Sequence, residues 1–109
     1  RRFPLVTIDV AFISLRHILP VVPAAMVAGG DIVALVKPQF EAGRDDVESG
    51  GIVRDAAVHA RVIEEVTDAA ASAGLERKGL TPSPITGAEG NHEFLLWLQR
   101  YSSALSPES

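Results

Sequence analysis

The sequence predicts an open α/β sheet whose last strand runs antiparallel to the rest. Two short apolar, β-branched runs, residues 3–8 and 31–36, flank a helix-length segment, and a valine stripe at helical spacing follows over residues 58–73. The link between the last two candidate strands is too short for a crossover helix, so those two must run in opposite directions. At 109 residues and 47% hydrophobic content, the chain suits one domain of the common size, roughly 100–150 residues.

The first run, FPLVTI, stops at Asp9 and reads as a buried parallel-type strand. Ser14 can cap a helix over roughly Leu15 to Ala28, which Pro20 must bend or split, and Gly29-Gly30 ends it. The second strand, Asp31 to Val36, contains the continuous run IVALV, which suits a sheet covered on both faces; Lys37-Pro38 stops it. EAGRDDVESGG, residues 41–51, has the composition of a mobile loop.

Asp55 is a good N-cap for a helix that ends at Gly74. On it Val58, Val62, Val66, Ala69 and Ala73 share one face, while Arg61, Glu64, Glu65 and Asp68 face water. A weaker strand at Leu75 to Thr81, a Pro/Gly turn region TPSPITGAEGN and a strand at about Glu93 to Leu98 complete a unit of residues 1–101. Residues 102–109, SSALSPES without its neighbours' apolar pattern, read as a flexible tail.

Composition narrows the function. Ten Lys+Arg against 14 Asp+Glu give a net charge of −4, so nucleic-acid binding by bulk charge is excluded and any RNA contact must be local. The absence of cysteine removes disulfides, thiolate zinc sites and thiol nucleophiles, and fits a reducing cytoplasm. His17, His59 and His92 have no ligand-like spacing, so no metal is expected. The most apolar stretch, ILPVVPAAMVAGG, is broken by Pro20 and Pro23 and is shorter than the roughly 20 residues that span a bilayer. RRFPLVTIDV runs straight into a strand without an initiator methionine, which suggests a piece of something longer.

Ligands of open α/β sheets sit outside the carboxyl ends of the parallel strands. Asp9 and Lys37 each close such a strand, and Glu93 opens an antiparallel one, so topology brings all three to one edge. Each has an ordinary reading by itself: Asp9 as a helix cap or turn brace, Lys37 as a lysine snorkelling to water, Glu93 as a solvated strand end. Together, two carboxylates around one amine form the charge-balanced cluster that active sites use. The 41–51 loop hangs beside this edge, and Arg44 within it and Arg54 just after it could reach RNA phosphates there or serve as ordinary solvated charges. Phe40 is expected to pack under the loop rather than face a base, and His92 to be a surface or turn residue.

TIDVAFISL (7–15), LVKPQFEAGR (35–44), GGIVRD (50–55) and SPITGAEGNHEFLLWL (83–98) resemble the carboxyl-terminal half of the TlyA, or hemolysin A, family of rRNA 2′-O-methyltransferases. The blocks occur in the family order and cover nearly the whole chain. That resemblance implies a partial Rossmann-like sheet of an FtsJ-like S-adenosylmethionine-dependent methyltransferase, comprising its last four strands. It further implies a Lys-Asp-Lys-Glu tetrad of which Asp9, Lys37 and Glu93 supply three members, with Asp9 also orienting the cofactor. The first lysine, the glycine-rich cofactor loop and an S4-like RNA-binding domain would lie upstream, so this chain alone is expected to be inactive.

The implied partner is ribosomal RNA or a ribosomal subunit, in the cytoplasm and without membrane contact. Lys37 could act as a neutral general base or as a cation that stabilises the developing alkoxide. Other readings are a membrane-active hemolysin, against which the acidic face opposite the valine stripe speaks, and a non-catalytic remnant that self-associates through an unpaired sheet edge. A methyltransferase of the same fold with another acceptor is a third; only the resemblance says RNA.

Overall fold

The computed structural model describes residues 1–48 and 50–101; the expected tail, residues 102–109, lies outside them, as does position 49 of the 41–51 loop. Four strands form one mixed sheet: β1 (Phe3–Ile8), β2 (Met26–Val36), β3 (Leu75–Pro82) and β4 (Phe94–Arg100), in the order β1-β2-β4-β3. β1 pairs parallel to β2, and β4 lies between β2 and β3 and is antiparallel to both. Three α-helices, α1 (Leu15–Ile18), α2 (Pro38–Glu41) and α3 (Ala56–Ser72), and short 3-10 turns complete the described unit.

α3 forms as its residues dictate. The Asp55 carboxylate accepts a hydrogen bond from Ala57 N–H at 2.8 Å, satisfying one of the donors a helix N-terminus leaves unpaired. At the other end Gly74 takes φ +83°, a left-handed conformation that costs glycine nothing and lets the chain turn directly into β3. Val58, Val62, Val66 and Ala70 are buried along one stripe. They join Ile32, Ala34 and Val36 of β2, Leu96 and Leu98 of β4 and Leu15 and Leu19 in one core. Each buried aliphatic side chain of this size contributes about 1.5–3 kcal/mol.

The helix expected over residues 15–28 is instead one α-helical turn, a 3-10 turn at Val22–Ala25 and the start of β2 at Met26. Pro20 and Pro23 each lack an amide donor, and two such gaps within four residues leave too little of the helical ladder to hold. Gly29 and Gly30 therefore lie inside β2, where pairing with β1 slips between Phe3↔Met26 and Leu5↔Asp31.

The IVALV run is covered on one face only. Ile32, Ala34 and Val36 are wholly buried, while Val33 and Leu35 are half-buried on a face shared, by register, with the exposed Trp97 of β4. The 41–51 segment is built rather than loose. Glu41 belongs to α2, Arg44–Asp46 form a 3-10 turn, and Glu48 bridges Ile52. Arg61 of α3 grips Asp46 of that turn, and this hydrogen-bonded carboxylate raises the guanidinium pKa above its ordinary value.

Asp55→Ala removes the N-cap of α3 while leaving its buried stripe intact. The expected loss is about 1 kcal/mol, read as a lower urea-unfolding midpoint with an unchanged denaturant slope.

Candidate functional site

Why an apolar strand should end in Lys-Pro becomes clear at the carboxyl end of β2. The residue before a proline is pushed to extended backbone, and Lys37 holds φ −113°, ψ 97°. Pro38 then occupies the first position of α2, where no amide is needed and its fixed φ starts the turn. The strand ladder stops, and Lys37 is aimed across the sheet edge toward the end of β1. There its Nζ lies 2.8 Å from Asp9 Oδ1, with the lysine side chain 19% exposed and the aspartate 65% exposed. Because the carboxylate is largely hydrated, screening keeps the pair's stabilising value low; its effect is to hold an amine and a carboxylate at one place on the rim.

Glu93 reaches the same edge from the start of β4 and is buried. Its Oε2 accepts a hydrogen bond from Gln39 Nε2 at 2.8 Å. Among the described residues no ion pair joins Glu93 to Lys37; the residue that holds Glu93 is Gln39, two positions further along the same turn. Gly87 makes room for the carboxylate, since a Cβ there would come within 1.9 Å of Glu93 Oε2. Asn91, also buried, fastens the neighbouring segment: its Oδ1 accepts from Val53 N–H and its Nδ2 donates to Gly51 O, each at 2.9 Å.

The third anchor of the turn is Glu41, 5% exposed. One carboxylate oxygen accepts from Ser14 Oγ at 2.6 Å and the other from Leu15 N–H at 2.8 Å. Ser14 in turn caps α1 through Arg16 N–H. The segment between Asp9 and this latch carries Phe12, 89% exposed and at φ 66°, a conformation costly for a bulky residue. Its ring lies 4.9 Å from that of Phe40, so Phe40 packs against an aromatic that itself faces solvent.

Asp9, Lys37 and Glu93 therefore share one rim. Arg54 pairs at the surface with Glu48 at 3.3 Å, and Arg44 is exposed, both on the 41–54 segment. Gln39, Glu41, Gly87 and Phe12 did not emerge from the sequence. The LVKPQFEAGR block contains the first two, but spacing alone could not show that alternate residues of a turn reach three separate segments. A recess of about 270 Å³ is lined by Ile52, Val53, Arg54, Glu89, Gly90 and His92 and contains none of Asp9, Lys37 and Glu93. Among the described residues no helix is long and apolar enough to cross a membrane.

Residues 1–100 match the model of the FtsJ-like methyltransferase family. The chain is 42% identical over 98 residues to TlyA of Mycobacterium tuberculosis, named a 16S/23S rRNA (cytidine-2′-O)-methyltransferase; the match covers 90% of this chain and 37% of that protein. It is 59% identical over 92 residues to YqxC of Bacillus subtilis, provisionally named an rRNA methyltransferase, covering 84% of this chain and 33% of the relative. A protein of Brachyspira hyodysenteriae named hemolysin A is 39% identical over 87 residues, which are 80% of this chain and 36% of that one. The chain thus spans about a third of the length of these curated relatives. A solved structure from Lactococcus lactis, provisionally called a hemolysin, superposes with a TM-score of 0.89 at 47% identity, covering 95% of this chain and 50% of the other.

Glu41→Ala strands the Ser14 hydroxyl and the Leu15 amide in a buried place, and each such loss costs about 1–3 kcal/mol. The urea-unfolding midpoint should fall clearly, and Glu41→Gln, which keeps one oxygen acceptor, should fall less.

Proposed function

Since the chain belongs to the FtsJ-like methyltransferase family, we propose that it is the carboxyl-terminal half of an S-adenosylmethionine-dependent rRNA ribose 2′-O-methyltransferase, with Asp9, Lys37 and Glu93 as its catalytic groups. The observation that carries this reading is the Lys37–Asp9 contact of 2.8 Å on the rim where Glu93 is buried. Residues 1–101 would supply the last four strands of a Rossmann-like sheet. The remaining strands, the glycine-rich cofactor loop, the first lysine and an S4-like RNA-binding domain would precede them. Among the described residues β1 pairs with β2 alone, which leaves an edge for those strands or, in their absence, for a second copy.

The residues present suit that cofactor. Asp9 closes β1 at the edge where such sheets bind ligands, and its 65% exposed side chain offers a carboxylate to a cationic sulfonium. When bound, S-adenosylmethionine supplies an electrophilic methyl group. What this chain contributes is alignment and charge. Holding the ribose 2′ oxygen in line with that methyl is worth up to roughly 7–11 kcal/mol in ideal cases. The Lys37 amine would stand beside the oxygen, either accepting its proton or donating a hydrogen bond as the oxygen becomes negative. The short contact to Asp9 supports the cationic role. Glu93 would balance the charge from the buried side.

RNA would approach over the exposed side of the rim. Phe12, exposed and tilted against Phe40, offers a face on which an unstacked base could lie, and Arg44 and Arg54 stand where phosphates could pass. With a net charge of −4, this half would rely on such local contacts and on the upstream domain for affinity. Acting on ribosomal RNA, the enzyme would work in the cytoplasm.

The test is transfer of labelled methyl to rRNA or ribosomal subunits by a hybrid in which this chain replaces the matching segment of M. tuberculosis TlyA, with nuclease mapping of the product. Label on ribose is expected, and Lys37→Ala should lower kcat by about 10²- to 10⁴-fold. Label on a base, or a fully active Lys37→Ala hybrid, would refute the assignment. A pH–rate profile then separates the two roles: a neutral base needs the lysine deprotonated and kcat climbs with pH, whereas a cation does not.

A further inference from the structure

The Gln39 side chain is neither part of the charged cluster nor explained by packing. Its amide nitrogen donates to Glu93 Oε2 at 2.8 Å. With its nitrogen turned to Glu93, the amide points its oxygen away from the carboxylate. That oxygen is buried and has no hydrogen-bond partner among the described residues. Buried acceptors without partners are uncommon because burial strips their hydration without return. A methionine of similar length would remove that cost but would also take the donor away from the buried Glu93 carboxylate, so the glutamine trades one buried acceptor for another.

The surroundings show what the amide does instead. Glu93 enters from β4, and the side it turns to Gly87 has no room for a Cβ; Gln39 holds the carboxylate through its Oε2. Gln39 stands on α2, whose first residue Pro38 is buried and whose last residue Glu41 is latched to Ser14 and Leu15. The turn that aims Lys37 at Asp9 therefore also aims the amide at Glu93, and the separation of amine and buried carboxylate is set within one rigid five-residue segment.

We propose that Gln39 is a positioning residue of the active site, which orients the Glu93 carboxylate relative to Lys37 at the expense of a buried oxygen that has no partner among the described residues. This rests on the methyltransferase reading above. Gln39 acts through Glu93 and not on the RNA, so its loss should lower kcat and leave the KM for RNA unchanged.

The experiment compares Gln39→Met, Gln39→Glu, Glu93→Gln and the Gln39→Met/Glu93→Gln double variant in the same TlyA hybrid, with kcat, KM for ribosomal subunits and thermal midpoint measured for each. Gln39→Met is expected to lower kcat on the order of 100-fold, the scale of a misplaced group, a loss that persists at temperatures well below the thermal midpoint of the variant. Gln39→Glu keeps the shape and the oxygen but loses the donor, and should lower kcat as well. In the Glu93→Gln background, Gln39→Met should add nothing, as expected of residues that act as one unit.

Additive losses in the double variant, full kcat in Gln39→Glu, or a Gln39→Met hybrid that loses thermal stability but not kcat would each overturn the proposal. A folded, unsubstituted hybrid that transfers no methyl while TlyA itself does would instead defeat the methyltransferase reading, and the positioning role with it.

Discussion

Five residues at the end of β2 hold the candidate site together, and they do so by alternation. Lys37 reaches the end of β1 at Asp9, Gln39 reaches the start of β4 at Glu93, and Glu41 reaches the start of α1 at Ser14 and Leu15. Pro38 between the first two ends the strand ladder and starts the turn, so that none of these side chains has to come from a flexible loop. Two of the three contacts involve a buried carboxylate, where misplacement is costly; the third, to the well-hydrated Asp9, contributes little stability. The turn is thus rigid where it is anchored and open where a substrate would meet it.

That arrangement depends on β2 lying inside the sheet. β2 pairs with β1 on one side and β4 on the other, and its inward residues Ile32, Ala34 and Val36 are wholly buried. The core under this face, completed by the α3 stripe, fixes the direction in which β2 delivers Lys37. The opposite face is less finished. Trp97 is 44% exposed and lies over Gly79 while its indole N–H donates to Asp31 at 2.8 Å. An aromatic held by its polar end is a stable way to leave apolar surface near water.

The acidic net charge and the RNA-directed reading are compatible because a methyl-transfer site needs few RNA contacts of its own. On the proposed reading its task would be to align one hydroxyl and to balance one developing charge, for which a buried carboxylate, a lysine and an exposed aromatic would suffice. Most of the phosphate attraction that gives RNA affinity would then come from elsewhere.

The sequence by itself determined α3, its Asp55 cap, its Gly74 exit and its valine stripe, because these rest on local rules of capping and period. It also determined that Asp9, Lys37 and Glu93 fall on one sheet edge, since strand ends and strand direction can be read from short apolar runs and from link length. Tertiary structure decided the rest. Pro20 and Pro23 turned an expected helix into the beginning of β2, because Met26 gains more from the core and from pairing with Phe3 than a helix with two missing donors could return. Ion pairing and burial then divided the three charges unequally, giving Lys37 to Asp9 and Glu93 to Gln39. No spacing rule contains that choice: it depends on where side chains from segments more than 25 positions apart meet, and on which groups lose their water when they do.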